Sequence, residues 1–252
     1  MRHLVAAEFQ KLFTTRLWVW LLLASIAITA LYASLNLAFA DNDVTFPLST
    51  PQGQRTLLAV GAGAATPLAA VLGAIVMTGE FRHRTATTTF LITPQRGRIV
   101  WAKLATAGIV GAGYGIACVV VTMAIAWPWL GALGITLDPT AGDIPATLTG
   151  VVLAVALFGV IGVGLGALVG EQVVAVVGLL VYLFVIEPVL TGIPALESWT
   201  IYLPGPARGA LTQTVLTYRE FLAQWQGAAT LTTYAIVLAG AGRLLAIRRD
   251  VT

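Results

Sequence analysis

Residues 17–40 carry no charge, and apolar stretches of similar length return at 57–78, 104–127, 146–169, 173–186 and 227–247, with Arg243 the only charge within them. A helix of about 20 apolar residues matches the roughly 30 Å hydrocarbon core of a bilayer. Such a chain can satisfy its backbone hydrogen bonds in lipid only as a bundle of helices or as a closed barrel, and the runs are about twice the length of a barrel strand. Composition agrees: 58% of residues are hydrophobic and 10% charged, against about a quarter charged in soluble domains. The expected fold class is an all-α integral membrane protein with six transmembrane helices, built as one domain over residues 1–252.

The first run gains about 0.3–0.6 kcal/mol of insertion free energy from each of its Leu, Ile, Val and Phe residues near the span centre. Ala38-Phe39-Ala40 has the small-x-small form of a signal cleavage site. The run is longer than a signal h-region of about 7–15 residues, so it is expected to stay as a span. The fifth run is the shortest, and Glu187-Pro188 falls at its far end or bends it.

Orientation follows from the basic residues, which collect on the cytoplasmic side of bacterial and eukaryotic membranes alike. With the amino terminus inside, Arg2, Lys11, Arg16, Arg82, Arg84, Arg96, Arg98, Lys103, Arg243, Arg248 and Arg249 are cytoplasmic, leaving Arg55, Arg208 and Arg219 of the 14 outside. Both termini are then cytoplasmic in a plasma-membrane protein. The net charge of +3 reads as topology rather than as a nucleic-acid surface, and no nucleic-acid partner is expected; membrane lipid is the surrounding partner.

Three segments are not spans. Residues 1–16 place Val5, Phe9, Leu12 and Phe13 on one helical face, opposite Arg2, Glu8 and Lys11, the pattern of a helix lying in the membrane interface. Residues 79–103 join the second and third spans. They read Gly79-Glu80-Phe81-Arg82-His83-Arg84-Thr85, then a threonine-rich stretch, then Thr93-Pro94-Gln95-Arg96-Gly97-Arg98, closing at Ala102-Lys103. Pro94 disfavours helix at Thr93 and Gly97 permits a turn, so a short helix over about 85–92 is expected to stop there. Residues 188–226 hold Pro188, Pro194, Pro204 and Pro206 among Trp199, Tyr202, Tyr218 and Trp225, aromatic residues of the kind that favour the membrane interface.

The order of residues in 79–103 resembles the first cytoplasmic loop of ABC-2 type transporter permeases, with Gly79, Glu80, Phe81, Arg82, Thr85, Pro94, Arg96, Ala102 and Lys103 as the matching positions. The resemblance extends to the amphipathic elbow at 1–16, the six spans, Gly166-Ala167-Leu168-Val169 before the fifth span, and the Glu187-Pro188 and Leu203-Pro204-Gly205 elements of the outer segment at 188–226. It implies a permease that pairs with a second copy or a related permease, exports drugs, antibiotics or other amphipathic compounds, and is driven through the 79–103 coupling loop by separate ATP-binding subunits. It also implies short helices at 188–226 that dip into the outer leaflet.

No P-loop is present: neither Lys11 nor Lys103 follows the required glycine spacing or precedes Ser or Thr. ATP and Mg are therefore expected on the partner subunit, with no cofactor held by this chain and no catalytic residue in it. Gly162-Val163-Gly164-Leu165-Gly166-Ala167 imitates a dinucleotide fingerprint, but it lies within an apolar span with no strand before it. Gly162, Gly166 and Gly170 recur every four residues, as do Gly111 and Gly115, which lets a neighbouring helix approach closely.

His3 and His83 are the only histidines and Cys118 the only cysteine, so neither a metal site nor an intrachain disulfide is expected. Ser25 and Ser34 have no base nearby in sequence for a hydrolytic site. Two acids remain as candidates. Glu187 lines a substrate path, braces the outer segment, or sits in water at the interface. Glu171, in the tight inner turn between the fourth and fifth spans, contacts the ATPase or is simply solvated. The rival functions are an ion-coupled secondary transporter and a non-transporting scaffold or immunity protein; the first would bury ionisable groups at mid-bilayer.

Overall fold

The computed structural model describes residues 2–40, 47–82, 96–140, 142–214 and 222–248. Every regular element among them is helical. An amino-terminal helix α1 (Arg2–Thr14) leads into α2 (Leu17–Ala38). Helix α3 (Pro51–Leu58) continues into α4 (Val60–Arg82), followed by α5 (Arg96–Ala132) and α6 (Ile144–Val169). Then come α7 (Gln172–Val181), a π-helical turn (Tyr182–Ile186) and α8 (Glu187–Thr191), which form one rod. The short helices α9 (Glu197–Thr200) and α10 (Pro204–Leu211) and the long α11 (Gln224–Arg248) complete the chain.

Five helical segments are long and apolar enough to cross a membrane: Leu17–Ala38, Pro51–Gly79, Arg98–Ala132, Ile144–Val169 and Gln172–Thr191. This is the architecture of a helical membrane protein. The sixth expected span corresponds to α11, whose 25 residues extend about 37 Å; Thr230, Thr232 and Thr233 make its first half less apolar.

The spans are arranged around α4 and α6. Of the most apolar window in each, 72% is buried for the α3–α4 segment and 61% for α6, against 17% for α2 and for the α7–α8 rod. The outer helices are therefore the ones that present apolar surface to lipid.

The two central helices touch backbone to backbone. A methyl group at Gly73 would stand 2.2 Å from the Gly159 carbonyl oxygen, and one at Gly162 would stand 2.0 Å from that of Ala70. Gly166 continues the same line against Ala74, at 2.8 Å. Gly111 and Gly115 let α5 approach Val155 and Val152 of α6 in the same way, and Gly164 admits α11 at Leu238. Lipid tails are as apolar as leucine, so helices in a bilayer gain their association from close packing. Small residues at these crossings are what permit it.

Gly170 stands apart from Gly162 and Gly166. It ends α6 in the left-handed conformation (φ 74), and its N–H bonds to the Gly166 carbonyl. Glu171 then starts α7, its carboxylate accepting the N–H groups of Val173 at 3.1 Å and Val174 at 2.6 Å. A glycine C-cap followed at once by an acidic N-cap gives a turn too short to leave orphan backbone groups exposed.

Two boundaries differ from the sequence-based expectation. Helix α4 runs through Arg82 and α5 begins at Arg96, so helix occupies both ends of the segment assigned to the loop at 79–103, and Lys103 lies inside α5. No proline interrupts the chain between Pro67 and Arg82, so α4 continues past its first charges. Likewise the fifth span does not stop at Ile186. It continues through Glu187-Pro188 to Thr191, because the π turn moves the Glu187 N–H onto the Tyr182 carbonyl, one residue further back than in an α-helix, and the widened turn accommodates the ring of Pro188.

Candidate functional site

Two groups of buried charge stand out from this apolar frame, one at each half of the bundle. The first joins α1 to the helices that flank the 79–103 segment. Glu8 is 5% exposed and Lys103 2%. The Lys103 ammonium donates to Glu8 Oε2 at 2.6 Å and to the Val76 carbonyl oxygen at 3.2 Å, while Lys11 donates to Glu8 Oε1 at 2.9 Å. One carboxylate thus takes two ammonium groups, and one ammonium ties α1 to both α4 and α5.

Apolar packing holds the same junction. Leu12 of α1 is buried in a cluster with Leu72, Val110, Tyr114 and Cys118, and Phe9 packs against it. The Tyr114 hydroxyl donates to the Trp18 carbonyl oxygen, linking α5 to α2.

The amphipathic reading of residues 1–16 puts Glu8 on the polar face with Arg2 and Lys11. The helix is present, but Glu8 is turned into the protein. Helical spacing alone places Glu8 beside Phe9 and Leu12 at the edge of the apolar stripe, and a partner 95 positions away decides which side it takes.

The proposed loop residues are only partly described. Gly79 lies near the end of α4 and is partly buried, and a methyl group added to it would meet nothing within 4 Å. Glu80, Phe81 and Arg82 form the last turn of α4 and Arg96 the first residue of α5. Thr85, Pro94 and the helix expected at about 85–92 lie outside the described residues. Glu171 comes from the same end of the bundle, where its carboxylate caps α7.

The second group surrounds Glu187, which is 4% exposed. Its position is about 22 Å along the span from Gln172, within the apolar body of the rod. Glu187 Oε1 accepts the N–H of Gly205, at the start of α10, where the backbone amides are unpaired and a carboxylate is favoured. A side chain at Gly205 would collide with that carboxylate.

Arg208, on the same short helix, interacts electrostatically with Glu187. Its Nη1 donates instead to Thr66 Oγ1 at 3.0 Å, and Thr66 donates in turn to the Ala62 carbonyl at 2.7 Å. Tyr182 takes the Glu187 N–H on its carbonyl, and Tyr234 packs against the cluster that holds Ala207 and Leu211. The π turn explains Tyr182: with a residue added to the turn, position i+5 swings over position i, so the residue five before Glu187 shares its face.

Helix α10 is held here by close contacts with two spans. Gly150 of α6 admits the Leu211 carbonyl and Gly227 of α11 admits that of Ala207. The expected outer segment at 188–226 therefore includes a helix seated against the bundle, reaching Thr66 in the interior of the α3–α4 span, about 20 Å from Gly79. Of Glu187 the structure gives its burial and its bond to the Gly205 N–H. Arg208 and Thr66 were missed. An arginine assigned to an outer loop carries no signal of burial, and only the proline-rich start of α10 hints that the segment folds back.

No group of three or more His, Cys, Asp or Glu able to hold a metal is found among the described residues. No protein-family model matches the chain, and no protein of curated function matches its sequence.

Proposed function

We propose that the chain is the membrane-spanning permease subunit of an ABC-type exporter, with α11 as its sixth span, both termini in the cytoplasm, and a separate ATP-binding subunit docked on the 79–103 segment. The observation that supports it best is the Glu8–Lys103–Val76 junction. A permease driven from outside must convert a pull on one short connection into movement of whole helices, and this junction makes α1, α4 and α5 one mechanical unit around that connection. ATP and Mg belong to the partner in this reading. A second permease copy completes the path, and the cargo is an amphipathic compound such as a drug or lipid-like molecule. Nucleotide can drive export only through its differential binding to the two states of the assembly.

Affinity purification of the chain in mild detergent, with identification of co-purifying proteins and an ATPase assay, tests it. A stoichiometric ATP-binding subunit is expected. A chain that purifies alone and without ATPase activity refutes the proposal.

One feature favours a second reading, an ion-coupled secondary transporter: a buried carboxylate on a rod interrupted by a π turn, with an arginine of the neighbouring helix α10 close by, the kind of element such transporters place in their spans. Uptake into proteoliposomes driven by a pH or sodium gradient in the absence of ATP would select it.

A further inference from the structure

The Glu187 carboxylate is incompletely satisfied. An ionised carboxylate offers about four acceptor positions, and among the described residues Glu187 receives one hydrogen bond, from Gly205. Arg208 compensates its charge at a distance while spending its hydrogen bond on Thr66. An apolar surrounding penalises the remaining lone pairs.

The rest of the cluster is suited to a cation. Tyr182 accepts the Glu187 N–H across the π turn, and Tyr234 of α11 packs against the core cluster that holds Ala207 and Leu211 of α10; neither tyrosine hydroxyl is hydrogen-bonded among the described residues. Aromatic rings attract positive groups through their negative faces. Both tyrosines are half-buried and the neighbouring Phe184 and Val185 are exposed, so the cluster reaches the apolar surface of the bundle. A ligand arriving there must carry apolar bulk as well as charge.

We propose that Glu187, with Tyr182 and Tyr234, binds an organic cation, a protonated amine or quaternary onium group on an amphipathic molecule. Arg208 keeps the empty site tolerable by partial neutralisation, and the ligand cation takes up the lone pairs that Arg208 does not reach. The site rests on the exporter reading only for its role as part of the substrate path; binding itself needs no ATPase.

The test uses the purified full-length chain in nanodiscs and two probes of matched shape and opposite charge, tetraphenylphosphonium and tetraphenylborate. Phosphonium should bind saturably and borate should not. Glu187→Gln should weaken phosphonium binding by at least about tenfold, a loss of one charged contact, while Asp138→Asn, at an exposed position, should leave it unchanged. Should Glu187→Gln fail to fold, Tyr234→Leu gives the same reading, with weaker phosphonium binding expected.

Equal binding of the two probes, or unchanged phosphonium binding in Glu187→Gln or in Tyr234→Leu, would overturn the proposal. So would displacement of phosphonium by sodium chloride but not by choline chloride at equal ionic strength, which assigns the site to an inorganic cation. Absence of an ATP-binding partner would defeat the exporter reading and leave these outcomes untouched.

Discussion

Replacing Glu8 by Gln is the sharpest test of the junction at the amino-terminal helix. The substitution keeps shape and removes the one negative charge that Lys103 and Lys11 share. Lys11, half of whose side chain is exposed, can turn to water; Lys103, at 2%, cannot. Removing one partner of a buried ion pair costs about 3–5 kcal/mol, because it leaves an uncompensated buried charge. Lys103 keeps the Val76 carbonyl and a further interaction besides Glu8, which argues for the lower end, about 3 kcal/mol. For a chain of this length that corresponds to a fall of roughly 6–12 °C in the unfolding midpoint. Thermal unfolding followed by size-exclusion chromatography in detergent reads it directly. Lys103→Met alone strands Glu8, though Lys11 still pairs with it, so its fall should be the smaller. The double variant Glu8→Met with Lys103→Met removes both charges and keeps volume, and should recover most of the loss, since apolar replacement of a whole buried pair is often neutral. A midpoint within about 2 °C of the parent for Glu8→Gln, under roughly 1 kcal/mol, would refute the buried pairing, as would a double variant whose loss equals the sum of the singles.

Other consequences follow from the packing and the charge distribution. Gly162→Ala places a methyl 2.0 Å from the Ala70 carbonyl oxygen and should destabilise by about 3 kcal/mol or more, whereas Gly63→Ala, with nothing within 4 Å, should be neutral or slightly stabilising; the same unfolding assay compares them. Arg55 and Asp143 form a 2.8 Å pair at the opposite end from α1, with Asp143 62% exposed, so Asp143→Asn should change stability by less than about 1 kcal/mol. For topology, cysteines introduced at Thr14 and Thr140 should react with a membrane-impermeant maleimide from opposite sides, native Cys118 being buried; labelling from one side only would overturn the arrangement of the spans.

The apolar runs reported the spans because burial in lipid acts on each residue nearly independently of fold. Composition in a window of about 20 residues is then sufficient. The same independence explains where the ends were misjudged. Helix continues past the last apolar residue whenever nothing breaks it, as α4 does to Arg82, and it survives Pro188 because a π turn precedes it. Gly162 and Gly166 were legible from their spacing. Gly170, equal to them in spacing, proved to be a helix cap, since its role is fixed by the Glu171 that follows. The positions that carry charge inside the protein were the least legible. Glu8 finds Lys103 and Arg208 finds Thr66 across separations of 95 and 142 positions, and no local pattern encodes such a meeting.

The two buried carboxylates differ in how fully they are satisfied. Glu8 accepts two ammonium groups, one on each oxygen, and its negative charge is fully answered inside the protein; its place at the junction of three helices gives it a mechanical role and leaves little for a ligand to gain. Among the described residues Glu187 accepts one backbone N–H and is answered at a distance by an arginine bonded elsewhere. A carboxylate left in that condition within an apolar frame is costly to the empty protein, and the cost is relieved by whatever cation reaches it. Glu8 is thus satisfied on both oxygens at one end of the bundle, while Glu187 in the other half is satisfied on one among the described residues; under the proposed exporter reading the first would transmit movement by staying closed on itself, and the second would bind because it does not.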